Sequence, residues 1–195
     1  QVWFPLFSEE REKIRQMTEV IELEKAKLDM AVRRGYRNWK SQFQEDFGPD
    51  TRLSDVSIKT LTMLAQGKDK STFYLFDLVM NLRSLGSGFE FSELDPKEKM
   101  AVMDQYLFLL DRIRFEFMKR LGWLEAYPGE EFTLVELVLR FEQMGPRLQA
   151  SVPLLSRNHS GYEEYRKMSA FEKEEMVRKL IPKALEEIEN HPTTL

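Results

Sequence analysis

Asp95–Gly122, DPKEKMAVMDQYLFLLDRIRFEFMKRLG, decides the fold of this chain. The segment reads as one helix with marked ends. Asp95 supplies an N-cap carboxylate, Pro96 carries the fixed φ that suits a first helical position, and Glu98 completes a capping box. At the other end Lys119 and Arg120 sit where the helix dipole favours cations, and Gly122 is placed to take the left-handed closing turn. At about 100° per residue the apolar side chains cover far more than one stripe. A helix of that kind belongs in the middle of a bundle.

Working outward, TFYLFDLVMNLRSL at 72–85 is nearly as apolar. Ser71 or Thr72 opens it and Gly86-Ser87-Gly88 ends it, and Asp77, Asn81 and Ser84 form its narrow polar line with Arg83 alongside. Ser8 is expected to cap a long first helix, followed by Glu9, Glu10 and Glu12 in the favourable first turn. Its apolar line runs through Ile14, Met17, Ile21, Leu28, Val32, Tyr36, Trp39, Phe43 and Phe47 at helical spacing, with a kink or break at Gly35. Gly48-Pro49-Asp50 is a stop, and a short helix over 55–66 follows. Thr133 and Ser169 begin two further capping boxes, with Glu136 and Glu172 in the third position. The first opens a helix halted by Gly145-Pro146; the second opens one reaching about Asn190, kinked or divided at Pro182. The segment 145–161 reads as an irregular loop and 1–7 as an extended strap. No β-branched alternation is sustained, so no strand is expected. The sum is an all-α, single-domain bundle over 1–195 of about six or seven helices, with 71–85 and 96–121 at its centre.

The chain has 195 residues, 42% of them hydrophobic and 32% charged, which suits a folded core rather than disorder. The net charge of −4 disfavours nucleic acid as a partner. There is no cysteine, which removes disulfides, thiolate metal sites and thiol nucleophiles and fits a cytoplasmic setting. No apolar run reaches the ~20 residues of a bilayer-crossing helix, so no transmembrane segment is expected. VWFPLF at 2–7 lacks a preceding charge and contains a proline, so it does not read as an intact signal peptide.

Two oddities stand out on the helical wheel of 96–121. The polar arc runs from Asp111 through Asp104, Lys119, Arg112 and Gln105 to Glu116. Arg114 falls outside it, among Leu107, Met103, Leu121 and Met118. A cation in an apolar sector needs a partner, and the polar line of the other central helix offers Asp77 and Asn81. An Arg114–Asp77 pair is therefore expected; as a site, Arg114 with Asp77 and Asn81 would hold an anion. The second oddity is Phe108 and Phe115, which lie within the polar arc. Either another helix of this chain covers them or a partner does, and they join Trp3, Phe4 and Phe7 as candidate interface residues. Arg33–Lys40 is a basic cluster interleaved with Tyr36 and Trp39. It suits phosphates and stacked bases, or simply aromatics facing inward and cations facing water.

Signatures of chemistry are otherwise missing. His159 and His191 belong to no metal pattern, and there is no P-loop, Gly-x-Gly-x-x-Gly or Gly-x-Ser-x-Gly. No cofactor is expected. The reading is a non-enzymatic interaction or adaptor protein, with a protein partner or a homo-oligomer as its assembly. A small-molecule anion site at Arg114, Asp77 and Asn81 is the alternative.

Overall fold

The fold follows from where apolar helices find cover. The computed structural model describes the backbone of residues 5–190, with the side chains of 5–8, 149, 150 and 188 set aside. Among these residues there are nine α-helices and one two-stranded sheet. The fold is all-α apart from that sheet, and among the described residues no helix is long and apolar enough to cross a membrane.

The two central helices are α4 (Lys70–Leu82) and α5 (Pro96–Arg120). Asp95 caps α5 by accepting from the Glu98 amide at 2.9 Å. At the far end Gly122 takes φ +77°, its amide donates to the Lys119 carbonyl at 2.9 Å, and the Trp123 amide reaches back to Met118 at 2.9 Å. This double bond pattern is a Schellman closure, for which a left-handed residue is required. α4 closes in the same way, with Ser84 N donating to Asn81 and Leu85 N to Met80. Here the left-handed residue is Ser84, at φ +59°. α4 thus ends at Leu82, three residues before the expected stop, and it begins at Lys70.

α1 (Pro5–Gly35) starts within the expected strap, so Ser8 lies inside the helix rather than at its cap. Trp3 and Phe4 lie outside the described residues. After a break at Tyr36 the chain continues as α2 (Arg37–Phe43). Gly35 sits there because α4 is close: a Cβ would come within 3.1 Å of Leu78 Cδ1. Trp39 is fully buried and its indole N–H donates to the Tyr74 carbonyl at 2.8 Å. Phe43, Phe47, Tyr36 and Trp39 form one aromatic cluster.

α3 (Ile58–Ala65) is held at its N-terminus by Ser57 and by Glu45. The Glu45 carboxylate accepts from the Ser57 amide at 3.1 Å and from the hydroxyls of Ser57 and Thr60. Beyond α5, β1 (Leu124–Ala126) pairs antiparallel with β2 (Leu154–Leu155). The expectation of no strand is corrected here; three and two residues are too short to show alternation. α6 (Leu134–Leu139) keeps its Thr133–Glu136 capping box but stops at Arg140. α7 (Phe141–Ala150) then runs through Gly145-Pro146, which was expected to halt it. The halt lies instead at Arg140, whose φ −100° and ψ 6° leave the helical region. Pro146 is solvent-exposed, where its carbonyl neighbours can turn to water. α8 (Tyr162–Tyr165) and α9 (Ala170–Asn190) complete the order. Ser169 and Glu172 form the expected box, and α9 passes Pro182 undivided.

Two stability tests follow. Ser84→Gly removes a left-handed strain at an exposed site and should raise stability by about 0.5–1 kcal/mol after the entropic cost of glycine. Chemical denaturation reads this directly, and a loss of stability would contradict the closure. For Glu45, burial raises the carboxyl pKa, but the bonds from Ser57 and Thr60 outweigh it and leave it lowered. A carboxyl lowered on folding stabilises above its unfolded pKa of about 4.3, and that stability is lost as pH falls through the folded value. The advantage of the wild type over Glu45→Gln should therefore be flat near neutrality and shrink on acidification below about pH 4.3.

Candidate functional site

The expected charge pair is not formed. Asp77 is buried, and its carboxylate accepts from Asn38 Nδ2 at 3.0 Å, Asn81 Nδ2 at 3.1 Å and the Gly88 amide at 3.0 Å. It faces α2 and the turn after α4, and neutral donors satisfy it. Asn81 does stand beside Asp77 as expected. Arg114 points elsewhere: its Nε donates to the Ala65 carbonyl at 2.9 Å, at the last residue of α3. A guanidinium there satisfies an open carbonyl and favours the negative helix end. Arg114 is thus a C-terminal cap for α3, and the anion site built on Arg114, Asp77 and Asn81 is not assembled.

The buried arginine is Arg112. Gln105, Arg112 and Glu116, one side of the polar arc, are 0%, 2% and 4% exposed. α6, α7 and the turn after β1 cover this side. The outer line of α5 runs through Met100, Leu107 and the arc's own Asp104, which are exposed. Phe108 and Phe115 go inward with the arc. Phe108 lies 5.1 Å from the Phe141 ring of α7, and Phe115 lies 6.2 Å from Tyr127. As a partner interface they are therefore corrected: this chain covers them.

Under that cover all but one of the buried polar side-chain atoms find partners. Gln105 donates to the Val138 carbonyl and accepts from Arg83 Nη1 at 3.1 Å. Glu116 accepts from Tyr127 Oη at 2.8 Å and Arg120 Nε at 3.0 Å. Arg112 Nη1 donates to the Pro128 carbonyl at 2.6 Å, and the guanidinium lies over Phe108 at 4.8 Å and Phe115 at 5.1 Å. Its Nε has no partner. Burial pushes its pKa down to about 10 against the pull of Asp111, so it remains a cation at neutral pH. Two aromatic faces and a carbonyl stand in for a counter-ion. Tyr127 is driven the other way: burial and then the neighbouring Glu116 carboxylate raise its pKa, so it serves as a hydrogen-bond donor. This is an anchoring network that clamps the 127–130 turn onto α5.

No three side chains of His, Asp or Glu converge as a metal set among the described residues. His159 Nδ1 accepts from the Gly161 amide at 3.0 Å, which makes it a turn-forming residue. His191 lies outside the described residues, as does the side chain of Phe7.

What the structure leaves unengaged is the outer part of α1. Every residue from Glu9 to Lys27 is exposed. Ile14 is 63% exposed, Met17 64%, Val20 58% and Ile21 64%. Further along the same face, Leu28 is half-buried and Val32 buried. The stripe therefore begins in the core and continues outward for about 28 Å at 1.5 Å per residue. The helical spacing of Ile14, Met17, Ile21 and Leu28 marked this line in the sequence. What sequence reasoning missed is that none of the described residues packs on its outer part. The Arg33–Lys40 cluster sits at the base of this arm, with Tyr36 and Trp39 buried and the cations in water.

The anchoring network makes a test. Arg112→Met keeps the shape without the charge and should stay within about 1.5 kcal/mol of the wild type in urea denaturation. Arg112→Lys keeps the charge without the planar stacking and should be the less stable of the two. The reverse order would show that the charge itself is what the network needs.

Set beside known proteins, the chain matches no family model, no curated protein and no solved structure.

Proposed function

We propose that the protein is an interaction module whose contact element is the outer part of α1, and that its partner is an amphipathic helix with acidic flanks. The observation that carries this is the exposed row Ile14, Met17, Val20 and Ile21, which continues a face that is core from Val32 onward. Contiguous exposed apolar side chains on a soluble surface mark contact sites.

The charges choose among occupants. With Ile14, Ile21 and Leu28 in one heptad position, the flanking positions hold Arg11, Lys13, Lys25 and Lys27, and the second seam position holds Glu10, Met17 and Glu24. A parallel pairing with a second copy stacks Glu24 on Glu24. An antiparallel pairing sets Arg11 and Lys13 against Lys25 and Lys27. Like charges in either register oppose self-association. A partner helix with Glu or Asp at its flanks meets all four cations. An anionic membrane is disfavoured because Glu9–Lys27 carries six acids against five bases.

The test uses two synthetic peptides of three heptads, identical in their Leu/Ile seam, one flanked by Glu and one by Lys. The Glu-flanked peptide should bind the full chain in anisotropy titrations, weaken with added salt, and be lost in an Ile14→Asp/Ile21→Asp variant of unchanged melting temperature. Equal binding of both peptides would refute the assignment. So would sedimentation showing that the protein dimerises through the same two isoleucines, or tighter binding to anionic vesicles.

A further inference from the structure

A second feature lies at the root of the arm. Arg33 on α1, Tyr36 at the break, Arg37, Lys40 and Ser41 on or beside α2, and Phe47 from the following loop line a cleft of about 470 Å³. That is within the size range of small-molecule sites. The residues at 33, 37 and 40 are four and three apart, so the helix turn brings three cations to one side of the cleft. The floor is aromatic: Tyr36 and Phe47 stack at 5.4 Å with ring planes 20° apart.

The charges around this cleft are unbalanced. Lys40 meets Asp46 at 2.8 Å. Among the described residues no carboxylate pairs with Arg33 or Arg37. No carboxylate is among the residues lining the cleft; Asp46 offsets Lys40, leaving two guanidinium charges. Tyr36 is 3% exposed and its hydroxyl is closed to solvent, so what the tyrosine offers a ligand in the cleft is its ring.

We infer that this cleft is a phosphate-monoester site, in which Arg33 and Arg37 hold the phosphate oxygens and the Tyr36–Phe47 pair supports the organic part of the ligand. The charge balance selects the class. A phosphate monoester carries about −1.5 to −2 at neutral pH, matching two free guanidinium groups, whereas a carboxylate or a phosphodiester carries only one charge. The planar guanidinium fork also suits the spacing of phosphate oxygens. This site is separate from the helix-docking row on the outer part of α1, so either can fail without the other.

The probe is phenyl phosphate, titrated by calorimetry into the full chain at constant ionic strength, with chloride and a single-stranded oligonucleotide as controls. Saturable binding is expected, weakened at least tenfold in Arg33→Ala/Arg37→Ala, a loss in line with charge-assisted hydrogen bonds. Tyr36→Phe keeps the ring and should bind phenyl phosphate as the wild type does, with a melting temperature unchanged or higher because it removes an unpartnered buried hydroxyl. Vesicles containing phosphatidic acid separate the sources of the monoester. Capture by vesicles that is lost in the double arginine variant assigns a lipid headgroup, and titration by phenyl phosphate with no vesicle capture assigns a soluble compound. The inference is overturned if phenyl phosphate gives no heat beyond chloride, if the double variant binds it unchanged, or if the oligonucleotide binds as tightly.

Discussion

The structure depends on α5 being covered on both its apolar and its polar side. α3, α4, α6, α7, α9 and β1 all contact it. Where this cover lies on the polar arc, Gln105, Arg112 and Glu116 are cut off from water and take their partners from inside. Each is met by something a covering element brings: the Val138 carbonyl from α6, the Pro128 carbonyl and Tyr127 hydroxyl from the turn after β1. The cover and the polar groups therefore specify each other. A differently placed turn would strand a cation and a carboxylate in a dry interior, which costs more than any apolar misfit nearby.

This explains what could be read in the chain and what could not. Helix ends were legible because their chemistry is local: Asp95, Thr133 and Ser169 cap as their spacing implies, and Gly122 and Gly35 sit where a closing turn and a close helix approach demand them. Long apolar helices were legible for the same reason. Arg112 and Arg114 were not. They lie two residues apart on one helix, and a wheel drawn from a single sequence weighs only composition around the axis. Which arc receives a neighbour is decided by α6 and α7, about 30 residues later in the chain. The break at Arg140 and the passage through Pro146 likewise depend on where the helix is anchored, not on the strength of Gly145-Pro146 as a stop signal. The five-residue sheet carries too little pattern to be seen at all.

The unengaged features share one address. The exposed row on α1 and the cationic cleft at its root both belong to the first 47 residues, while the rest of the chain is spent on building a closed body around α5. Asp77 ties these parts together, joining Asn38 of α2 to α4 and to the Gly88 turn. Through Asn38, the segment that carries the cleft is fixed to the body by a buried carboxylate with no cation beside it.

The unbroken run of α1 from Val32 to Glu9 has a consequence of its own. A solitary helix in water must order its first turn before any bond is gained. Here the first turn is supplied by the seated end near Val32 and Gly35, and each further turn only has to add to one already made. Order along α1 is therefore graded, firm at the socket and progressively easier to melt toward the tip, steadied on the way by pairs such as Arg15 with Glu19 and Lys27 with Glu24. A molecule arriving at the tip meets a template that is already wound but still able to adjust its last turns.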